Sequence, residues 1–433
     1  MSVESVRGSW SNRLGFVLAA AGSAVGLGNI WKFPYMAGKN GGAAFIFVYI
    51  VSVFAICLPI VVAELMLGRT SRRNPVGAFQ SLRPRSFWVL GGWLGVLSGF
   101  LILSFYGVVA GWTLDFMLLS ASGSFSGAGG AEIHALFDGL VGNAPRQIFW
   151  QALFMVATII IVAGGIASGI ERGSRILLPA LLLMLIGLVG FSLTLSGAGD
   201  AAAFLLTPRW EEFSGESLLA ALGQAFFSLS LGMGVMITYG SYLGSGESLS
   251  RSAFYVALTD TAVALLAGAA IFPIVFTFGF EPAAGPGLTF QTLPVAFAQL
   301  PWAGLLAFTF FLLLSLAALT SSISLLEVVV AYFIDEWRWR RVTAAWFCGG
   351  VTFLAGVPCA VDSAWIERLD ALTSNYFLPI GGLLIAAFAG WVLVPAEQES
   401  ELGTNVLTRT WRFMIRWVSP AAVVAIFLSL VLG

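Results

Sequence analysis

Long apolar runs, each of roughly twenty residues or more and separated by short polar loops, follow one another along nearly the whole of this chain. About twenty residues at a helical rise cross the roughly 30 Å hydrocarbon layer of a bilayer. Inside that layer every backbone polar group must find its partner within the chain. The pattern therefore predicts an all-α integral membrane protein. Helices are expected near 12–36, 42–68, 88–118, 147–167, 173–196, 217–242, 252–279, 301–335, 341–358, 371–395 and 409–432, about eleven in all. Strands of alternating polarity, the mark of an outer-membrane barrel, are absent from the pattern. With 10% charged residues the chain has no charged exterior for a soluble fold.

Other classes fall away quickly. A net charge of −1 speaks against nucleic acid as a partner. Cys57, Cys348, Cys359 and the single histidine, His134, have neither metal-ligand spacing nor a disulfide pattern. With no nucleophile–base pair visible, the reading is not an enzyme. The opening MSVESVRGSW carries no signal-peptide pattern, so the first apolar run is expected to remain as a helix.

Positive charge sets orientation. With the N-terminus in the cytoplasm, sixteen of the 21 Lys and Arg residues lie inside and five (Lys32, Lys39, Arg146, Arg209 and Arg368) lie outside. Eleven helices then leave the C-terminus outside. The longest outer loops, 119–146, 197–216 and 280–300, have room for short surface helices. Residues 1–433 read as one transmembrane domain.

Two spans carry glycine interruptions in matching places. The first has Gly26-Leu27-Gly28 beside Asn29, and the sixth has Gly232-Met233-Gly234 beyond Ser228. Glycine lowers the cost of unwinding, and unwound backbone at membrane depth is tolerated beside a cavity or ligand. Matched breaks in two halves point to a transporter's midplane site. Five-helix halves imply inverted repeats at about 8–198 and 215–397, followed by an additional helix at about 409–432.

The stretch Gly22-Ser23-Ala24-Val25-Gly26-Leu27-Gly28-Asn29-Ile30-Trp31-Lys32-Phe33-Pro34, followed by Asn40-Gly41-Gly42, resembles the first-helix signature of the neurotransmitter:sodium symporter family. The stretch from Gln224 to Gly234 resembles its sixth-helix signature, and Ala317-Ala318-Leu319-Thr320-Ser321-Ser322 a third. The resemblance covers nearly the whole chain. It implies a LeuT-type fold of 5+5 inverted repeats with broken helices 1 and 6, and a bacterial inner-membrane protein. The implied activity is sodium-coupled import of apolar or aromatic L-amino acids. Matched helix breaks are themselves a hallmark of LeuT and its relatives, so the breaks and the resemblance do not count as independent support.

By resemblance, one sodium ion would take the Ala24 carbonyl, Asn29, Ser228 and either Thr259 or Asp260. A second would take the carbonyls of Gly22, Val25 and Ala317 with the hydroxyls of Thr320 and Ser321. Hard cations prefer such oxygen donors. The substrate pocket would comprise Ala24, Leu27, Gly28, Ile102, Tyr106, Phe227, Ser230, Met233, Ser324 and Leu325. Gly26 stands where monoamine-carrying relatives have an aspartate, so the substrate is expected to bring its own carboxylate. Lys32 and Asp370 resemble an outer gate; Arg7, Trp10, Ser241, Tyr242 and Asp335 resemble an inner one. Glu64 would brace the unwound sixth helix. Tyr49, Gln224 and Ser228 match a chloride site, but Val263 replaces its serine and Asp260 lies one turn away, so transport is expected to run without chloride. Gly169 and Pro179 match a spacing that lets helix five unwind. The expected partners are the amino acid and the bilayer, with room for a weak homo-oligomer. The alternative is a proton-coupled or exchange transporter of the same broad fold; a channel or a membrane enzyme fits the paired breaks less well.

Overall fold

The computed structural model describes residues 8–125, 127–244, 246–282 and 287–432, and among them all regular structure is helical. The first span is a pair, α1 (Arg13–Ala24) and α2 (Gly28–Lys39), bent by 47°. Next come α3 (Ala43–Ser71), the short α4 (Pro75–Leu82), α5 (Val89–Ala121), the short α6 (Gly130–Val141), α7 (Ala144–Ala163) and α8 (Ile166–Ser192). The second half runs α9 (Ala198–Leu206), α10 (Gly215–Ser228), α11 (Val235–Gly240), α12 (Leu249–Thr277), α13 (Leu288–Ala298), α14 (Ala303–Trp337), α15 (Arg341–Val361) and α16 (Ala364–Val392). The chain closes with α17 (Pro395–Leu402) and α18, 406–432.

Eight of these helices are long and apolar enough to cross a membrane among the described residues, and the bent pair makes a ninth. The interrupted α10–α11 and α18 lie where the sequence places its sixth and eleventh helices. Short helices α6, α9 and α13 fall in the three long loops.

Local chemistry sets many of the ends. Asn12, Asn74, Asn143, Ser248 and Asn405 each stand at a helix N-cap and accept a backbone N–H three residues on. Pro75 follows the cap of α4, where its missing N–H costs nothing. Two starts lie seven residues earlier than the hydropathy pattern suggests. α16 begins at Ala364 rather than 371, because Glu367, Arg368 and Asp370 make its first turns polar. α8 begins at Ile166 rather than 173, through a wide π turn, Ile166–Glu171, that follows Gly165 at φ +90°. Pro179 lies inside the continuous α8.

The long α14 runs beside α5, α1 and α11 pack against α14, α2 packs on α12, and α10 packs on α3 and α2. Small residues allow that closeness: a Cβ on Gly240 of α11 would stand 2.7 Å from the Leu65 carbonyl of α3. At one end of the bundle Arg83 grips Glu397 of α17 through two hydrogen bonds, 2.9 and 3.1 Å long. These bonds hold the Glu397 carboxyl below the usual carboxylate range.

Candidate functional site

The two broken spans meet at their breaks. α1 ends at Ala24, and Val25 turns to an extended conformation, φ −71°, ψ 104°. The second break, 229–234, places Ser230, Gly232 and Gly234 in the left-handed region at φ 54°, 76° and 73°. Glycine adopts that region freely, whereas for Ser230 it costs about 1–2 kcal/mol. The Gly232 N–H, freed by the break, donates to Glu64 Oε1 at 2.9 Å. Leaving such a buried donor unpaired would cost ~1–3 kcal/mol.

Between the breaks lies a cavity of about 30 Å³. Nine residues expected there line it: Ala24, Leu27, Gly28, Ile102, Tyr106, Phe227, Ser230, Met233 and Leu325. Ser324 stands instead behind Ser23, whose hydroxyl donates to Ser324 Oγ at 2.6 Å. The Leu27 N–H donates to the Tyr106 hydroxyl at 3.3 Å. Gly28 lets the backbone approach Phe227 closely, since a Cβ there would come 2.9 Å from the ring and force it to shift. Gly26 is equally tight, with its absent Cβ 3.1 Å from Tyr106 Oη. A second cavity of about 260 Å³ adjoins the first, and Leu27, Gly28, Tyr106 and Phe227 line both.

Two oxygen-rich clusters flank the first cavity. In one, Asn29 Nδ2 donates to Ser228 Oγ at 3.0 Å and to Asp260 Oδ1 at 2.7 Å. Ser228 Oγ donates to both carboxylate oxygens at 2.8 Å, and Tyr49 Oη to Asp260 Oδ2 at 3.2 Å. Gln224 Nε2 donates to the Gly28 carbonyl at 2.8 Å. Asp260 is fully buried in this cluster, while Thr259 is only half-buried on α12. Val263 is buried one turn along.

In the other cluster Thr320 Oγ1 donates to the carbonyls of Val25 at 3.3 Å and Ala317 at 2.9 Å. Ser321 Oγ donates to Val25 O at 3.4 Å and to Ser23 O at 3.1 Å. Gly22 packs on Thr320, with room for a Cβ 3.5 Å away. The Ser23 carbonyl is a participant that the sequence pattern did not single out. Apart from the side-chain amide nitrogens of Asn29 and Gln224, the polar atoms named in both clusters are oxygens. Such oxygen donors suit a hard cation rather than zinc or iron.

Charged and aromatic groups gather at both ends. At one, Lys32 Nζ lies 3.8 Å from Asp370 Oδ2 and 4.5 Å from the centre of the Phe227 ring. At the other, the Trp10 indole N–H donates to the Tyr239 carbonyl at 3.0 Å, and its ring meets those of Tyr239 and Tyr242 edge-on. Ser241 Oγ donates to Thr238 O at 2.6 Å, and Asp335 accepts the Asn74 N–H at 2.7 Å. Arg7 lies outside the described residues. A third group was missed in the sequence: Tyr242 Oη donates to Glu327 at 2.6 Å, and Arg341 grips the same buried carboxylate at 2.7 and 2.9 Å. A carboxylate within an apolar run was the available signal.

Residues 7–128 and 132–432 match the family described as the sodium:neurotransmitter symporter family. An uncharacterized sodium-dependent transporter of Bacillus subtilis, YhdH, is 41% identical over 438 residues, covering 98% of this chain and 97% of that protein. An uncharacterized sodium-dependent transporter of Haemophilus influenzae is 36% identical over 448 residues, covering 98% of each. The crystal structure of MhsT in complex with L-phenylalanine superposes with a TM-score of 0.91 at 44% identity, covering 98% of this chain and 99% of that one.

Proposed function

The chain belongs to the sodium:neurotransmitter symporter family, and from that premise we propose that it imports apolar and aromatic L-amino acids by sodium-coupled alternating access. The observation that carries this reading is the convergence of both helix breaks on one small cavity with an oxygen cluster on either side. Apolar walls at Ile102, Phe227, Met233 and Leu325 suit an apolar side chain. The Leu27 and Gly28 backbone and the Tyr106 hydroxyl suit a carboxylate, which helix-terminal N–H groups and hydroxyls bind well. A phenylalanine complex of MhsT supports the same substrate class.

Two sodium ions are carried as co-substrates. One takes Ala24 O, Asn29, Ser228 and Asp260; the other takes Val25, Ala317, Thr320 and Ser321, joined by Gly22 or Ser23. At the first site the ion competes with the Asn29 N–H donors for the same oxygens, so loading requires that amide to turn. The burial of Asp260 supports it over Thr259 as the helix-seven ligand. Lys32, Asp370, Phe227 and Tyr106 form the outer closure. Trp10, Ser241, Tyr242 and Asp335, with Arg7, form the inner one.

The paired breaks also support inverted repeats at about 8–198 and 215–397. The positive-charge bias supports a bacterial inner membrane, a cytoplasmic N-terminus and an external C-terminus. Uptake into proteoliposomes, screened over the twenty amino acids, tests the reading. Apolar and aromatic amino acids are expected to enter, and choline in place of sodium to stop them. Uptake that persists in choline under a pH gradient would favour the proton-coupled alternative.

A further inference from the structure

Glu171 ends the wide turn that opens α8, and it is 1% exposed although it does not line the substrate cavity. Its carboxylate accepts the Ser11 backbone N–H at 2.8 Å, the Ser11 hydroxyl, and Arg175 Nη2 at 2.6 Å. Arg175 also donates to Ser11 Oγ at 3.1 Å. Ser11 precedes Asn12, the N-cap of α1, whose side chain takes the Gly15 N–H at 2.9 Å. The start of α1 is therefore held by its own cap, by Trp10 on the Tyr239 carbonyl, by Arg13 beside Glu247, and by Glu171 from a helix 160 residues further along the chain. A carboxylate there is further favoured by the positive end of the helix dipole. Gly15 makes the contact possible, because a Cβ at that position would fall on the Glu171 carboxyl.

We propose that Glu171 is a positioning residue that latches α1 to α8, so that release of α1 and opening of the turn at 166–171 are a single event. The inference rests on the transport reading above. α1 is tied at both ends: at its break by Thr320 and Ser321 on the Val25 and Ser23 carbonyls, and at its start by Glu171. A sodium ion in the Thr320/Ser321 cluster reinforces the first tie. Once that ion leaves, Glu171 is the tie that still holds the start of the helix to α8. The turn carrying it is wound wide after Gly165 at φ +90°, so its opening takes the carboxylate away from Ser11. Arg175 is 41% exposed, which gives water access to the ion pair from one side as the turn loosens.

The test is amide hydrogen exchange on the full chain in lipid nanodiscs with saturating sodium, for wild type, Glu171→Ala and Gly15→Ala. Both variants are expected to exchange about tenfold faster over residues 9–20, the scale of a lost charge-assisted hydrogen bond. Exchange over 249–277 should not change. Gly15→Ala is the discriminating variant, because alanine raises helix propensity and would by itself slow exchange in α1. Faster exchange there is therefore the mark of a contact with Glu171 broken by the added methyl group. Unchanged or slower exchange over 9–20 in Gly15→Ala overturns the proposal, even where Glu171→Ala is disordered throughout. Sodium-dependent uptake by the wild type is read separately, so the transport reading and the latch fail on different measurements.

Discussion

Asn29 and Asp260 meet across 2.7 Å although 231 residues separate them in the chain. One belongs to the unwound part of the first span and the other to the buried face of α12. Ser228, at the end of α10, donates to the same carboxylate, so three spans share one polar point. Such a point is costly in an apolar setting unless every member is paired or a cation is bound.

Sodium affinity is expected to depend on the hydroxyls of α14. Thr320→Val keeps the volume and removes the oxygen that now bridges Val25 and Ala317. The half-saturating sodium concentration for substrate binding should rise on the order of tenfold, as for loss of a contact worth ~1.4 kcal/mol. Ser321→Ala should act in the same direction. A sodium titration that overlays the wild type in both variants would remove this cluster from ion binding.

Met233 is expected to set the size limit of the pocket. The cavity is already small, about 30 Å³, and Met233 is a flexible part of its wall. Met233→Phe should weaken tryptophan binding more than leucine binding. Competition binding with the two amino acids measures the ratio, and an equal loss for both would mean that Met233 does not shape the pocket.

The outer closure is expected to respond to the geometry of its cation. Lys32 reaches Asp370 at 3.8 Å, a long contact in a partly exposed pair that is worth less than about 1 kcal/mol. Arginine could engage the carboxylate through two parallel bonds. Lys32→Arg should slow substrate dissociation, and Asp370→Ala should speed it. Stopped-flow release rates in the same order for both variants would deny this pair a gating role.

Much of this architecture was legible in the sequence, for identifiable reasons. Apolar length marks a span, and Gly-x-Gly within a span marks a break, so α1–α2 and α10–α11 could be placed before any coordinates. Choosing Asp260 over Thr259 needed the rotational phase of α12, where Val256, Asp260 and Val263 share the buried face. The part of Ser23 depends on where the last turn of α1 ends, which composition does not fix. Glu327–Arg341 was hidden because Arg341 reads as a loop cation; it comes back to Glu327 only after the reversal between α14 and α15. Glu171 was hidden in the same way, since its partners stand at the start of a different helix.

The Glu327–Arg341 pair is expected to be structural and sensitive to single substitutions. Glu327 has 0% side-chain exposure, so Arg341→Met would leave a buried carboxylate that has lost its cation and keeps the Tyr242 hydroxyl as a donor. Such half-removal typically costs ~3–5 kcal/mol. Thermal unfolding in detergent should drop by several degrees for Arg341→Met. It should recover largely in Arg341→Met combined with Glu327→Leu. A double variant no more stable than the single one would show that the charges are needed for more than each other.

Transport is expected to proceed without chloride. The Asp260 carboxylate already accepts from Asn29 at 2.7 Å, from Ser228 at 2.8 Å on each oxygen, and from Tyr49 at 3.2 Å. Those donors are the ones a mobile anion would have to recruit, and Val263, buried one turn along, offers no hydroxyl to replace them. A fixed negative charge beside Asn29 and Ser228 can balance a sodium ion there without a second ion arriving from solution. Asp260→Asn keeps the size of the side chain and removes the charge. It also turns one acceptor into an N–H group facing the donors of Asn29, Ser228 and Tyr49, so some of those bonds must break. Uptake by the wild type should therefore be the same in chloride and in gluconate. Uptake by Asp260→Asn should be impaired in gluconate and partly restored by chloride. If the wild type stops in gluconate, Asp260 does not stand in for the anion and the charge balance at this site has another source. If Asp260→Asn transports normally in both media, the carboxylate serves packing alone.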